Sequence, residues 1–367
     1  MATASHRTGL YFSGIVLAIL MFGSAWLTPA AAAKSKAPKL PQDQLREVNR
    51  LLSEYRGAGK DLEKKQEICQ KVLDMGPAAA ELMSATVERD IRPQLRRYSA
   101  KFQQQAALLA KKKVRDIDLN EVVQLRRTVL GLQKRGDGFT KEAIQREGDP
   151  ALKKLETIFV IERGAVLEPS EDLQADRKRL VSQGRLWQEC QAKLPQPAVE
   201  EGEDPPKPPD FEQYLQGDER LAAAMVTPMD LKTRAILAAN SRLGEKLDPE
   251  EARTVLALNL TRNLLGLSAL VVDLKLTEAA RDHSHDMETR KFFAHESPVE
   301  GKKTPWDRAK RFGTSASGEN IVMGVHDGRA ANEAWFHSPG HHKNMLGDHV
   351  RVGVGRSGVY FTELFGR

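Results

Sequence analysis

The sequence predicts an α+β fold: a long all-α region, then a C-terminal domain in which helices pack on a small sheet. Three observations carry this. Helical periodicity with almost no strand signal runs over residues 40–194. A proline-rich break follows at 195–210. Beyond it helical segments come first, and short apolar or alternating runs come late, in "GENIVMG" and "RVGVGRSGVYFTELFG". A chain of 367 residues suits two or three domains.

The first 33 residues read as a signal peptide. Arg7 precedes an apolar run from Leu10 to Leu27, and Ala30–Ala33 offers a small-residue cleavage site before Lys34. An uncleaved anchor helix is the alternative. Either reading places the chain outside the cytoplasm, secreted or in the periplasm or cell envelope.

Residues 34–194 form a helical region of unassigned role. "QLREVNRLLSEY" sets Leu45, Val48, Leu51, Leu52 and Tyr55 at helical spacing, and "LNEVVQLRRTVLGLQK" does the same with Leu119, Val122, Val123, Leu125, Val129, Leu130 and Leu132. Gly76-Pro77, Pro93, Gly136–Gly138 and Gly148–Pro150 are expected to break the run into separate segments, giving a bundle or helical hairpins. The region holds 33 basic against 24 acidic residues over 34–194, while 243–367 holds 17 of each, so the net charge of +6 belongs to the helices. A basic helical surface suits an anionic envelope or is simply solvated; no motif supports nucleic-acid binding. Cys69 and Cys190 are the only cysteines, and sequence does not show whether they pair.

"PQPAVEEGEDPPKPPD", with six prolines, predicts an extended acidic linker over 195–210, and 211–247 a helical lead-in. The domain over 248–367 opens with Asp248 as cap and Pro249 at the first helical position. A helix over 274–291 puts Leu276, Ala280, His283 and Met287 on one face. Thr304 and Pro305 start a helix that ends at Gly313. "GENIVMG" is a strand, a helix covers 328–337, "SPGHHKNML" starts another under a Ser338 cap, and two strands close the domain.

Of nine histidines, eight lie at or after His283. His283 and His285 are two apart on a helix and point away from one another, so they cannot chelate one ion. His295 follows Phe292-Phe293, which can anchor its loop in the core. Glu319 at a strand start needs a partner or water. His341 and His342 sit in the first turn of a helix, where the dipole favours neutral imidazole. Being about 100° apart, they should not share a target.

The motifs "AARDHSHDM", "FFAHESP", "GENIVMG", "AWFHSPGHHKNML", "VGVG" and "YFTELFG" together resemble a bacterial-type member of the CAP superfamily (cysteine-rich secretory proteins, antigen 5, pathogenesis-related 1), also called the SCP domain, over about 250–366. The resemblance implies an α-β-α sandwich around a small antiparallel sheet, with a cleft lined in many members by two histidines and two glutamates. His295 matches the first histidine and Glu319 the first glutamate. Ser338 stands where the second glutamate is usual, Tyr360 where the second histidine is usual, and Glu363 replaces the usual glutamine. His341 is expected to face the cleft, and His342 to be a basic surface residue. The implied cleft set is therefore His295, Glu319, His341, Tyr360 and Ser338, with His295 and His341 the potential ligands of a divalent metal such as zinc. Catalytic roles stay unassigned. Three functions are open: a secreted binding module for a lipid or other apolar, envelope-associated ligand; a hydrolase using a histidine as general base or a metal-bound water; and a structural envelope protein with an inactive CAP domain.

Overall fold

The computed structural model describes residues 40–113, 118–159, 170–194, 210–225 and 229–367. The expected signal peptide over 1–33 and nearly all of the proline-rich segment lie outside the described residues. Among the described residues nine helices precede the C-terminal domain: α1 (Gln42–Gly57), α2 (Leu62–Leu73), α3 (Pro77–Lys113), α4 (Leu119–Leu132), α5 (Lys141–Ala143), α6 (Asp149–Phe159), α7 (Glu171–Ala192), α8 (Phe211–Ala224) and α9 (Leu231–Arg242).

Two of the expected breaks do not break the chain. Pro93 lies inside α3. Its neighbours Ile91 and Leu95 are fully buried, so packing on both sides holds the helix through the lost hydrogen bond. A π-helical turn over Ile144–Gly148 joins α5 to α6 and carries the helix through Gly148–Pro150, its wider hydrogen-bond spacing absorbing the proline.

The hydrophobic packing crosses the expected domain limits. One core gathers α1, α2, α3 and α7 around Val48, Tyr55, Val72, Met83 and Trp187, and it takes in Phe211, Tyr214 and Leu215 of α8 from beyond the proline-rich segment. A second core belongs to the C-terminal domain, yet Val122, Val129 and Leu132 of α4 and Leu155 of α6 are part of it. Helices on either side of the proline-rich segment thus pack with partners from the other side.

The C-terminal domain begins with α10 (Pro249–Leu264), where Asp248 and Glu251 form a reciprocal capping box. There follow β1 (Val271–Val272), α11 (Leu274–Arg290), α12 (Pro305–Arg311), β2 (Gly318–Met323), α13 (Gly328–Phe336), α14 (Pro339–Met345), β3 (Arg351–Ser357) and β4 (Tyr360–Gly366). The strand order is β1-β3-β4-β2. β3 and β2 pair antiparallel with β4, but β1 runs parallel to β3, so the sheet is mixed rather than wholly antiparallel. A two-residue strand is too short to show alternation in sequence; the Val271 and Asp273 amides donate to the carbonyls of Val350 and Val352 to form it.

Alternation assigns the faces. Glu319 pairs with Leu364 and Ile321 with Thr362 on the side covered by α11, where Ser284 donates to or accepts from Thr362 at 2.9 Å. Asn320 pairs with Glu363 and Val322 with Phe361 on the side covered by α10, α13 and α14. Helices on both faces make an α-β-α sandwich. The α11 layer lies unusually close: a Cβ on Gly355 would meet the Arg281 backbone nitrogen at 1.9 Å, and one on Gly353 the Leu276 and Thr277 backbone at 2.3 Å. Among the described strands β2 is at the sheet edge, and the site lies where it begins.

Candidate functional site

The site is built at this edge of the sheet from the loop after α11, from α12, from the first residues of β2 and from α14. Buried His283 on α11 donates from Nε2 to the Ala294 carbonyl at 3.1 Å. Burial pushes this imidazole down to about 4, so it is neutral at physiological pH. That bond fixes the loop one residue before His295. His295 is half exposed, and its Nδ1 lies 2.9 Å from Glu319 Oε1. The other oxygen, Oε2, takes a 2.5 Å bond from Arg308 Nη2, and both groups of that pair are fully buried. Arg308 also donates to the carbonyls of Lys302, Lys303 and His295, so it ties the loop, α12 and β2 into one unit. With a guanidinium on one oxygen, Glu319 is an acceptor only. His295 therefore donates from Nδ1 to this carboxylate, which fixes the orientation of its ring.

From the opposite layer α14 brings His341. Its ring centroid is 6.1 Å from that of His295, with the planes at 58°. Burial and the neighbouring His295 both lower the affinity of His341 for a proton. The backbone here is held by an amide ladder: Asn344 donates to the Glu319 carbonyl and to Asn320 Oδ1 at 3.0 Å, and Asn320 donates to Glu363 Oε2 at 3.0 Å and to the His341 carbonyl at 3.4 Å.

His342 is not the surface residue expected. It is fully buried, with Nδ1 2.7 Å from the Phe336 carbonyl and its ring packed on Phe336 at 4.5 Å and on the edge of Phe139 at 5.4 Å. Phe139 comes from the helical region, which sequence could not place against α14. Ser338 precedes α14, but its hydroxyl makes no capping bond; its carbonyl accepts the His342 amide at 2.7 Å. Tyr360 shares a sheet face with Glu319 but pairs with Met323, four residues along the strand, or about 13 Å away at ordinary strand rise. The structure thus brings together His295, Glu319 and His341 and sets Tyr360 apart.

Residues 255–361 match the sequence model of the cysteine-rich secretory protein family, CAP. The C-terminal third of the chain is a CAP domain. Among its relatives are two Bacillus subtilis (strain 168) proteins. The uncharacterized protein YkwD is 38% identical over 120 residues, covering 31% of this chain and 46% of the relative. The uncharacterized membrane protein YlbC is 32% identical over 130 residues, covering 35% of this chain and 38% of the relative. The chain spans less than half the length of either. Among solved structures, an extracellular protein containing a SCP domain from Bacillus anthracis str. Ames is 33% identical, with a TM-score of 0.31, covering 32% of this chain and 40% of that one. An outer surface protein from Borrelia burgdorferi is 22% identical, with a TM-score of 0.29, over 32% of this chain and 92% of that one.

The CAP domain's donor set fits a three-ligand metal centre poorly. Among the described residues no three His, Cys, Asp or Glu side chains are grouped so as to hold an ion. His295 and His341 are the two available imidazoles, and Glu319 has both oxygens engaged. A catalytic zinc ordinarily takes three protein ligands. What the set does supply is an imidazole oriented by a carboxylate, facing a second imidazole that burial biases to neutrality. Sequence reasoning missed Arg308, the second partner of Glu319. The signal was indirect: a glutamate buried at a strand start needs a cation as well as a histidine. A separate apolar recess, with about 450 Å³ of space partly open to solvent, lies among Leu237, Leu247, Val255, Leu256 and Val272. It adjoins β1, across the sheet from the histidines.

Proposed function

We propose that this is an exported binding protein whose CAP domain holds an amphipathic, lipid-like or envelope-associated ligand at the His295–Glu319–His341 edge. The carrying observation is the state of the two imidazoles. His295 is oriented through its Nδ1 by Glu319, and His341, biased to the neutral form by burial, faces it across a 6.1 Å centroid separation. Imidazole nitrogens can donate to and accept from hydroxyls, so the polar end this pair suits is a hydroxyl-bearing group. Phe293, expected from the sequence to anchor its loop in the core, is instead exposed two residues before His295, and its apolar surface suits the apolar body of such a ligand. Export, with a leader over 1–33, is part of this reading and rests on the sequence alone. The basic helical region over 34–194, packed directly on the CAP domain through α4 and α6, would present it at the envelope.

The test is co-sedimentation of the full chain with vesicles of phosphatidylglycerol, of phosphatidic acid and of phosphatidylcholine at pH 7.5. Binding is expected to favour the glycerol headgroup and to fall at least fivefold in the His295→Ala/His341→Ala variant. Equal binding to all three vesicles, or an unaffected double variant, would sink this reading. A second reading is favoured by the Glu319–His295 hydrogen bond alone: an oriented imidazole can act as general base on water in a hydrolase. Its mark would be hydrolysis of an ester or peptide substrate that is lost in Glu319→Gln.

A further inference from the structure

The helical region brings its two cysteines together. Cys69 on α2 and Cys190 on α7 are 121 positions apart, and both are fully buried in the first core. Their Sγ atoms are 3.6 Å apart, as two free thiols in hydrogen-bond contact. A disulfide needs about 2.05 Å, so closure asks for an approach of about 1.5 Å shared between two side chains and two helices. No third cysteine exists in the chain to compete, so any intramolecular disulfide must be this one.

We propose that Cys69 and Cys190 are a modification site that a disulfide-bearing oxidant, such as oxidised glutathione or an oxidised dithiol protein, closes to a structural disulfide stapling α2 to α7. One cysteine thiolate attacks the oxidant's disulfide and expels a thiolate, leaving a mixed disulfide. The second cysteine thiolate attacks that mixed disulfide at the protein sulfur, forms the Cys69–Cys190 bond and expels the remaining thiolate. Two electrons pass to the oxidant, which becomes two thiols, and the protons of the two cysteines neutralise the two expelled thiolates. The contact with the Cys69 sulfur, and burial after it, hold Cys190 far on the thiol side in the folded state. Closure therefore belongs to folding, before the core around Tyr55, Met83 and Trp187 excludes the oxidant. The proposal is independent of the histidine site. Only its cellular setting leans on export, and a defined redox buffer removes that dependence.

The experiment refolds the full chain from denaturant in a mixture of reduced and oxidised glutathione. Thiols are then counted in denaturant and cysteine peptides mapped by mass spectrometry. No titratable thiol and one linked peptide pair are expected. Adding reductant should lower the thermal midpoint of the refolded protein by roughly 5–15 °C. The Cys69→Ala/Cys190→Ala variant should show no response to reductant. Two thiols persisting after refolding, glutathione attached to the cysteines separately, or a midpoint indifferent to reductant would show instead a pair of small apolar core residues, and would overturn the proposal.

Discussion

At the scale of single residues the CAP domain uses two buried glutamates in opposite ways. Glu319 is kept as an acceptor by Arg308 and orients His295. Glu363, on the other face of the sheet, has the Asn320 amide as a hydrogen-bond donor at Oε2, and Oε1 has no partner among the described residues. Burial pushes its carboxyl up to about 8, with Asn320 and the charge of Arg262 opposing. A neutral carboxylic acid has the shape of a glutamine amide, the residue the resemblance leads one to expect there. Between the ordinary carboxylate value and about 8 the unfolded chain is ionised while the folded one keeps its proton. Stability from this group is thus full at about pH 4 and lost as pH rises toward about 8. Glu363→Gln should raise stability by on the order of 2 kcal/mol at about pH 8 and change little at about pH 4, as read from urea midpoints at the two pH values.

At the scale of elements, much was legible. Caps at Asp248 and Thr304, prolines at first helical positions and the Gly358 turn between β3 and β4 all act as their residue types dictate. The apolar stripe of Leu276, Ala280, His283 and Met287 is buried as a unit. What sequence hid depended on contacts between distant segments: a proline tolerated within α3, a two-residue parallel strand, and His342 buried beneath a phenylalanine 203 positions earlier. His295, Glu319 and His341 came from motif resemblance, whereas Arg308 and the Asn320–Asn344 ladder come only from coordinates, because their roles exist only once β2 lies between α12 and α14. The near contact of α11 and β3 is sharply testable. Gly355→Ala would force helix and sheet apart at the Arg281 backbone and should cost about 3 kcal/mol in equilibrium unfolding.

At the scale of the whole molecule, the helical region is part of how the site is held. Phe139 backs His342, Asp149 accepts from His337 Nε2 at 2.9 Å, and the Lys343 ammonium lies 5.6 Å above the Phe139 ring. All three contacts fall on or beside α14, the helix that carries His341. On the other flank Arg253 of α10 is fully buried, stacked at 4.6 Å on Tyr214 and paired with Asp218 of α8. Phe139→Ala should lower stability by about 3 kcal/mol and shift the ring proton resonances of His341 and His342. Those of His283, beneath the opposite face of the sheet, should stay in place.

Of the four described strands β4 is the last to be synthesised, yet it lies inside the sheet and is the one that pairs with β2. Until Tyr360–Gly366 has emerged from the ribosome, β2 lacks that neighbour, and the apolar sides of α4 and α6 wait on a core that cannot close. The first core, drawn chiefly from α1, α2, α3, α7 and α8, takes no side chain from β4 and can consolidate while the C-terminal domain is still incomplete, so the two cores are expected to form at different moments.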